Sequence, residues 1–335
     1  MREGSLEAPT RHALAWQDPD FTDMAKIEAE MHRVFDICHG CRRCFNLCDS
    51  FPRLFDLADN SPTGELDAVS PAQYKPVVDA CTLCDMCFMT KCPYVPPHQF
   101  NLDFPHLMLR YRAAELKAGK VGRVAQELVK TDRNGALGTA LAPLANWASD
   151  TKNHATRPLL EKAAGIDRAA ALPKYNRRSF AMRAKREAAP PVNREAPAFG
   201  RKAVLYATCL VNYHNAEIGT ATRAVLAKNG VATEVAYPAC CGMPQLEHGN
   251  IAKVADNARK VAAELGGFID KGYNVIALVP SCALMLKFEW PLILPEDERV
   301  KRLSRATFDV SEYVVDIARK EGLPPGLIRV IWSLV

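Results

Sequence analysis

Apolar residues recur at helical spacing through the first half of the chain and at strand spacing through much of the second. Phe21, Met24, Ile27, Met31, Val34 and Phe35 mark one face of a helix over 21–35. Paired prolines at 96 and 97 give way to a second helical pattern from Phe104 to Lys117. Further helical segments follow at Val121 to Lys130, Ala136 to Trp147 and Arg157 to Ala164, so the first half reads as mainly α. From residue 201 the pattern changes. The runs Ala203 to Thr208, Val231 to Ala236 and Asn274 to Val279 are short and β-rich, and helical patterns at Ala216 to Lys228 and Ile251 to Phe268 separate them. Helices at Glu296 to Ala306 and Val310 to Glu321 follow. Strands alternating with helices predict a parallel α/β sheet, and the chain as a whole reads as multidomain, α followed by α/β.

With 335 residues, 48% of them hydrophobic, the chain can bury two separate cores. Composition suggests where they part. Between Pro173 and Lys202 nine Lys or Arg face only Glu187 and Glu195, and residues 188–200 are rich in proline. The expected organisation is an N-terminal arm over 1–20, a helical domain over 21–172, a basic Pro-rich linker over 173–202 and an α/β domain over 203–335. The basic run lacks the aromatic interleaving of a nucleic-acid site, so no nucleic acid is expected; a solvated tether or a docking surface for an acidic partner fits better. The N-terminus has no apolar leader, and the longest apolar stretch, Gly135 to Ala148, falls short of the ~18 residues a spanning helix needs. The expected location is cytoplasmic, with any membrane contact peripheral and at the inner face of the cytoplasmic membrane.

Twelve cysteines change the picture from fold to chemistry. Eight lie in two stretches, "CHGCRRCFNLC" (Cys38, Cys41, Cys44, Cys48) and "CTLCDMCFMTKCP" (Cys81, Cys84, Cys87, Cys92). Each opens with three thiols three residues apart and adds a fourth later, the spacing by which one loop grips a cubane cluster and sends its last thiolate to the other cluster. The assignment is Cys38, Cys41, Cys44 and Cys92 to one [4Fe–4S] cluster, and Cys81, Cys84, Cys87 and Cys48 to a second. Structural zinc sites instead bring two separated pairs together, and a third cysteine in each loop would be left over. Asp49 in place of Pro after Cys48, and the four-residue gap before Cys92, are expected to adjust the loops without removing a ligand.

The other four cysteines each follow a predicted strand: Cys209 the first, Cys240 and Cys241 the second, Cys282 the third. Ligands of parallel α/β sheets sit beyond the carboxyl ends of the strands, so these thiols form a candidate redox or cofactor site. A further cluster, a zinc ion and a reactive dithiol are all open as its occupant. Packing alone would account for free cysteines, but an adjacent pair followed by Gly242 is unusual core material. His39 beside Cys38 could hydrogen-bond a cluster sulfur, although a solvent-facing ring is the plainer reading; His214 and His248 flank the second thiol set as weak candidates. No Ser/His/Asp arrangement, phosphate loop or dinucleotide fingerprint is present.

Read together, the two cluster loops, the block "CPYVPPHQFNLDFPHLMLR", "CCGMPQLEHG" and "PSCALMLKFEW" resemble the heterodisulfide reductase-related iron–sulfur proteins, and within them the family of the C subunit of anaerobic glycerol-3-phosphate dehydrogenase. The resemblance implies a two-cluster, ferredoxin-like helical domain ahead of a cysteine-rich CCG α/β domain. It implies an iron–sulfur electron-transfer subunit working between a flavoprotein dehydrogenase and a quinone or thiol/disulfide acceptor. A catalytic heterodisulfide or thiol–disulfide reductase using the CCG cysteines, and a zinc-stabilised binding protein, are the alternatives. The sequence departs from the family pattern where Met285 stands in place of a second Cys after Cys282, and where the chain stops after "GLPPGLIRVIWSLV", the point at which a second CCG copy would begin. That ending reads as a truncated, frameshifted or split form.

Overall fold

The computed structural model describes residues 9–325; the first eight residues of the expected arm and the closing segment from 326 lie outside them. The chain forms two compact units, Met1–Arg123 together with Pro244–Lys253, and Val124–Met243 together with Val254–Val335.

The first unit is helical. Helix α1 (Met24–Cys41) starts at Asp23, whose carboxylate accepts the Ala25 and Lys26 N–H groups, and it buries Ile27, Met31, Val34 and Phe35 as the spacing predicts. It runs on through Cys38 and Cys41, past the expected end, and stops at Arg42 in the left-handed conformation. Helices α2 (Ser50–Asp59), α3 (Lys75–Ala80) and α4 (Phe104–Lys117) complete the frame. Their core is aromatic, with Phe35 5.0 Å from Tyr74 and 5.8 Å from Phe104, and Phe51 4.8 Å from Phe104. Each such ring is worth roughly 1.5–3 kcal/mol of burial. The segment 244–253 belongs here because Gly249, at φ +75°, brings its backbone against α4; a Cβ on it would lie 2.5 Å from Ala113 N.

Residues 9–20 do not behave as a loose arm. Thr10 N–H donates to Pro96 O at 3.0 Å, Leu14 is buried, and the Arg11 guanidinium pairs with Asp85 and Asp103. A charge matched by two carboxylates holds what composition alone leaves unanchored.

The second unit begins with the helices Arg123–Leu128, Thr131–Ala140, Ala142–Ala148 and Arg157–Ala164, which the sequence places in the first domain. Its sheet is parallel throughout. Strand β1 (Lys202–Tyr206) pairs with β2 (Ala232–Ala236) and with β3 (Asn274–Ala277), and β3 pairs with β4 (Thr307–Asp309), giving the order β2-β1-β3-β4. Val204 lies opposite Glu234 on one side and Val275 on the other. Inward positions of β1, Ala203 and Leu205, join Ile276, Val211, Leu226 and Tyr313 in a buried core. Phe180 and Ala198 sit in that same core, so the stretch 173–202 is packed onto the α/β unit over much of its length and is not a free tether. Its apolar residues are too isolated to show periodicity, and while Phe180 and Ala198 are buried in the core, Met182 and Phe199 stay exposed. Among the described residues no helix is long and apolar enough to cross a membrane.

Candidate metal and thiol centres

The first unit carries eight of the thiols. Cys38 and Cys41 ride on the last turn of α1, where Arg42 N–H closes onto Cys38 O at 2.8 Å. Tight turns follow, with Phe45 N–H on Arg42 O and Leu47 N–H on Cys44 O, and they bring the chain to Cys48. The second loop leaves α3 at Cys81. Leu83 at φ +50° and Asp85 at φ +59° turn the backbone sharply, and a single wide helical turn, Cys87–Lys91, closes with Cys92 N–H on Cys87 O at 2.8 Å. Arg112 of α4 donates to the Val78 and Cys81 carbonyls, fixing the point from which the loop departs.

The thiols act on one another across the two loops. Burial first, and then Cys92, Cys44 and Cys41, push the Cys38 thiol well above its ordinary value. Burial pushes Cys81 up to about 11, with Cys48 and Cys84 adding to it and the Leu83 N–H and Arg112 opposing. Cys87 is raised by burial, then by Cys81, Cys44 and Cys38; Cys92 is raised by burial, with Cys41 adding. Buried thiols that resist ionising alone are donors whose thiolate form a cationic centre would stabilise, and this donor set fits iron–sulfur ligation. Among the described residues no three His, Cys, Asp or Glu side chains stand so as to hold a single metal ion.

The second unit brings the remaining four thiols to one edge of the sheet. Thr208 caps the short helix Cys209–Tyr213 after β1, Cys240 and Cys241 follow β2, and Cys282 lies in the helix Pro280–Leu284 after β3. The sulfurs meet in two pairs, Cys209 with Cys240 at 3.7 Å and Cys241 with Cys282 at 3.2 Å. Hydrogen bonds from Cys209 and then Cys241 hold the Cys240 thiol well below its ordinary value against the opposing effect of burial, and the Gly242 N–H adds to them. Cys209 and Cys241 are correspondingly raised, so Cys240 is the thiol that ionises most readily of these three. Gly242 sits at φ +87°, where a side chain would be strained, and a Cβ would press on Val254 at 3.2 Å.

The backbone of this loop is fastened on every side by residues that the sequence does not single out. Asp132, from the helix Thr131–Ala140, accepts the Cys240 N–H at 3.1 Å and the Tyr237 hydroxyl. The Tyr206 hydroxyl donates to Ala239 O at 2.7 Å, Asn257 to Cys240 O at 3.1 Å and Trp290 Nε1 to Cys241 O at 3.1 Å. Tyr237, three residues before the cysteine pair, carries a local signal; Asp132 is 108 residues away from Cys240. A second wide turn, Met285–Glu289, follows Cys282, and Met285 within it is fully buried where the family pattern has its further Cys.

The histidine candidates fall elsewhere. The His39 ring is buried, with Nε2 3.2 Å from Asp59 and Nδ1 3.6 Å from Glu65, so it faces carboxylates instead of solvent. His214 meets Lys174 O at 3.2 Å and stacks on Tyr175, and burial lowers its pKa. His248 belongs to the 244–253 segment of the first unit, although the thiols it flanks in sequence belong to the second.

Residues 203–287 match the cysteine-rich (CCG) domain family. The chain is 30% identical over 180 residues to the C subunit of anaerobic glycerol-3-phosphate dehydrogenase from Escherichia coli (strain K12), covering 51% of this chain and 42% of that one. It is 32% identical over 133 residues to lactate utilization protein A of Geobacillus thermodenitrificans (strain NG80-2), covering 38% and 53%, and 30% identical over 125 residues to lactate utilization protein A of Bacillus thuringiensis (strain Al Hakam), covering 35% and 49%. The chain thus spans about half the length of the curated relatives it matches. No solved structure shows significant similarity to it.

Proposed function

We propose, for a chain that carries a CCG cysteine-rich domain and is related to a dehydrogenase subunit, that it is an iron–sulfur electron-transfer subunit of an oxidoreductase complex. Cys38, Cys41, Cys44 and Cys92 would hold one [4Fe–4S] cluster, and Cys81, Cys84, Cys87 and Cys48 the other. What supports the reading is that the thiols of the two loops lie close enough to act on one another, Cys92 on Cys38, Cys48 on Cys81, and Cys44 and Cys38 on Cys87; which thiol serves as each fourth ligand rests on the sequence spacing. Such clusters supply one-electron storage at a potential set by burial and hydrogen bonding. The chain's own part is to shield the thiols, to fix the two loops through Arg42, Arg112 and the aromatic core, and to dock its neighbours. Those neighbours would be a flavoprotein dehydrogenase as donor and a quinone or thiol/disulfide compound as acceptor, with any membrane contact peripheral and the location cytoplasmic.

Anaerobically purified protein should contain about eight irons per chain and give a reducible paramagnetic signal. Cys48→Ser should disturb one cluster and leave the other. Protein with no iron, or a Cys48→Ser variant with both signals unchanged, would defeat the assignment.

A second reading rests on the CCG thiols. The lowered Cys240 thiol and the paired sulfurs suit either a further iron–sulfur cluster, a zinc ion or direct thiol–disulfide chemistry. Cys241→Ser that abolishes disulfide reduction while sparing the ferredoxin-type clusters would favour catalysis at this site; unchanged turnover would favour relay alone.

A further inference from the structure

A buried charge cluster that takes no part in thiol ligation lies beside the second cysteine loop. Arg11 reaches it from outside both cysteine motifs. Its Nη1 lies 2.7 Å and its Nη2 2.9 Å from the two oxygens of Asp85, and its Nε and Nη2 lie 2.8 and 3.1 Å from those of Asp103. Both members of the Arg11–Asp85 pair are nearly sealed from water, at 9% and 3% side-chain exposure. The guanidinium also lies 4.7 Å from the centre of the buried Phe88 ring. Asp85 stands between Cys84 and Cys87 at a strained positive φ, and Phe88 follows Cys87, so one side chain touches the loop on both sides of its third thiol. A buried carboxylate without its cation would be costly, and a planar fork bonded to two carboxylates has little freedom to leave.

We propose that Arg11 is a positioning residue for the Cys81–Cys87 loop, clasping it through Asp85 and Phe88, and that the Arg11–Asp85 charge pair sets the reduction potential of the group this loop holds. The inference rests on the cluster reading given above. It adds that the two charges act in opposite senses. Arg11→Gln leaves a negative charge uncompensated near the cluster and disfavours the added electron. Asp85→Asn removes a negative charge while Arg11 stays paired with Asp103, and favours it.

The test uses the full chain, anaerobically reconstituted, with potentiometric titration followed by paramagnetic resonance. Arg11→Gln should lower the potential of one cluster, with the reduction equilibrium moved about tenfold, or about 59 mV for a one-electron couple. Asp85→Asn should raise it, Arg11→Lys should restore most of the wild-type value, and the other cluster should not move. Loop loosening alone would shift both variants the same way, and that result, or unchanged potentials, overturns the electrostatic role. Hydrogen exchange over residues 81–92 reads the clasp with or without iron. Faster exchange in Arg11→Gln supports it, and wild-type protection refutes it. A wild-type chain that binds no iron would sink the cluster reading and the potential with it, while the exchange experiment would still decide the clasp.

Discussion

Replacing Asp132 by Ala would strip the CCG loop of the carboxylate that fastens it. The Cys240 residue is fully buried and gives its N–H to both Asp132 oxygens, and the Tyr237 hydroxyl gives its proton to one of them. A buried donor left without a partner costs about 1–3 kcal/mol, and the half-buried hydroxyl less, so the pair together should cost about 2–4 kcal/mol. In a unit of this size about 3 kcal/mol corresponds to roughly 6–12 °C in its unfolding midpoint. Asp132→Asn keeps an oxygen facing both donors and should cost only about 1 kcal/mol. Scanning calorimetry on wild type and both variants provides the measurement. If Ala and Asn at this position unfold together with wild type, the hydrogen bonds do not hold the loop. If the two variants fall equally far, charge and not hydrogen bonding is what matters.

Trp290 offers a graded test of the same loop, since Trp290→Phe removes the donor to Cys241 O for about 1 kcal/mol while Trp290→Ala also empties a fully buried site for about 3–5 kcal/mol, both readable by urea denaturation. Gly249→Ala should destabilise the first unit by more than about 1 kcal/mol, because φ +75° is strained for Ala and the new Cβ meets the backbone of Arg112 and Ala113; wild-type denaturation would contradict the close approach. Lys320 and Arg201 hold the Asp316 carboxyl below its usual value. Its contribution to stability is therefore complete above the ordinary carboxylate range and fades as pH falls through the lowered folded-state value, so Asp316→Asn should lower stability at neutral pH, flatten the acid limb of a stability–pH curve, and converge on wild type at the acid end.

The placement of four thiols after three strands is legible in the sequence because β-rich runs and helical runs differ in period, and a parallel sheet sends all its loops to one edge. Strand β4 is not, since three residues between two helices carry no alternation. The end of α1 lies beyond the point its periodicity marks, because its apolar face stops at Phe35 while Cys38, His39 and Cys41 continue the helix without adding to that face. Prolines and charges give the stretch 173–202 the composition of a tether, yet single residues such as Phe180 and Ala198 anchor it to the sheet. Asp132 and Arg11 escape a sequence reading for a different reason. Each is an ordinary polar residue locally, and only a partner 108 residues away, or 74 and 92 residues away, gives it meaning.

The wide turns Cys87–Lys91 and Met285–Glu289 each add a residue to what would otherwise be an ordinary helical turn. An α-helical residue advances the chain by about 100°, so one extra residue offsets the phase of everything downstream by about that angle. The second turn aims Trp290 at the Cys241 carbonyl, and the first delivers Cys92 out of the loop. Length is thus a specified quantity at these two places. Substitutions there change a side chain, whereas loss of a single residue would rotate the following segment away from its thiols, making each turn a point where the chain counts residues as strictly as it chooses them.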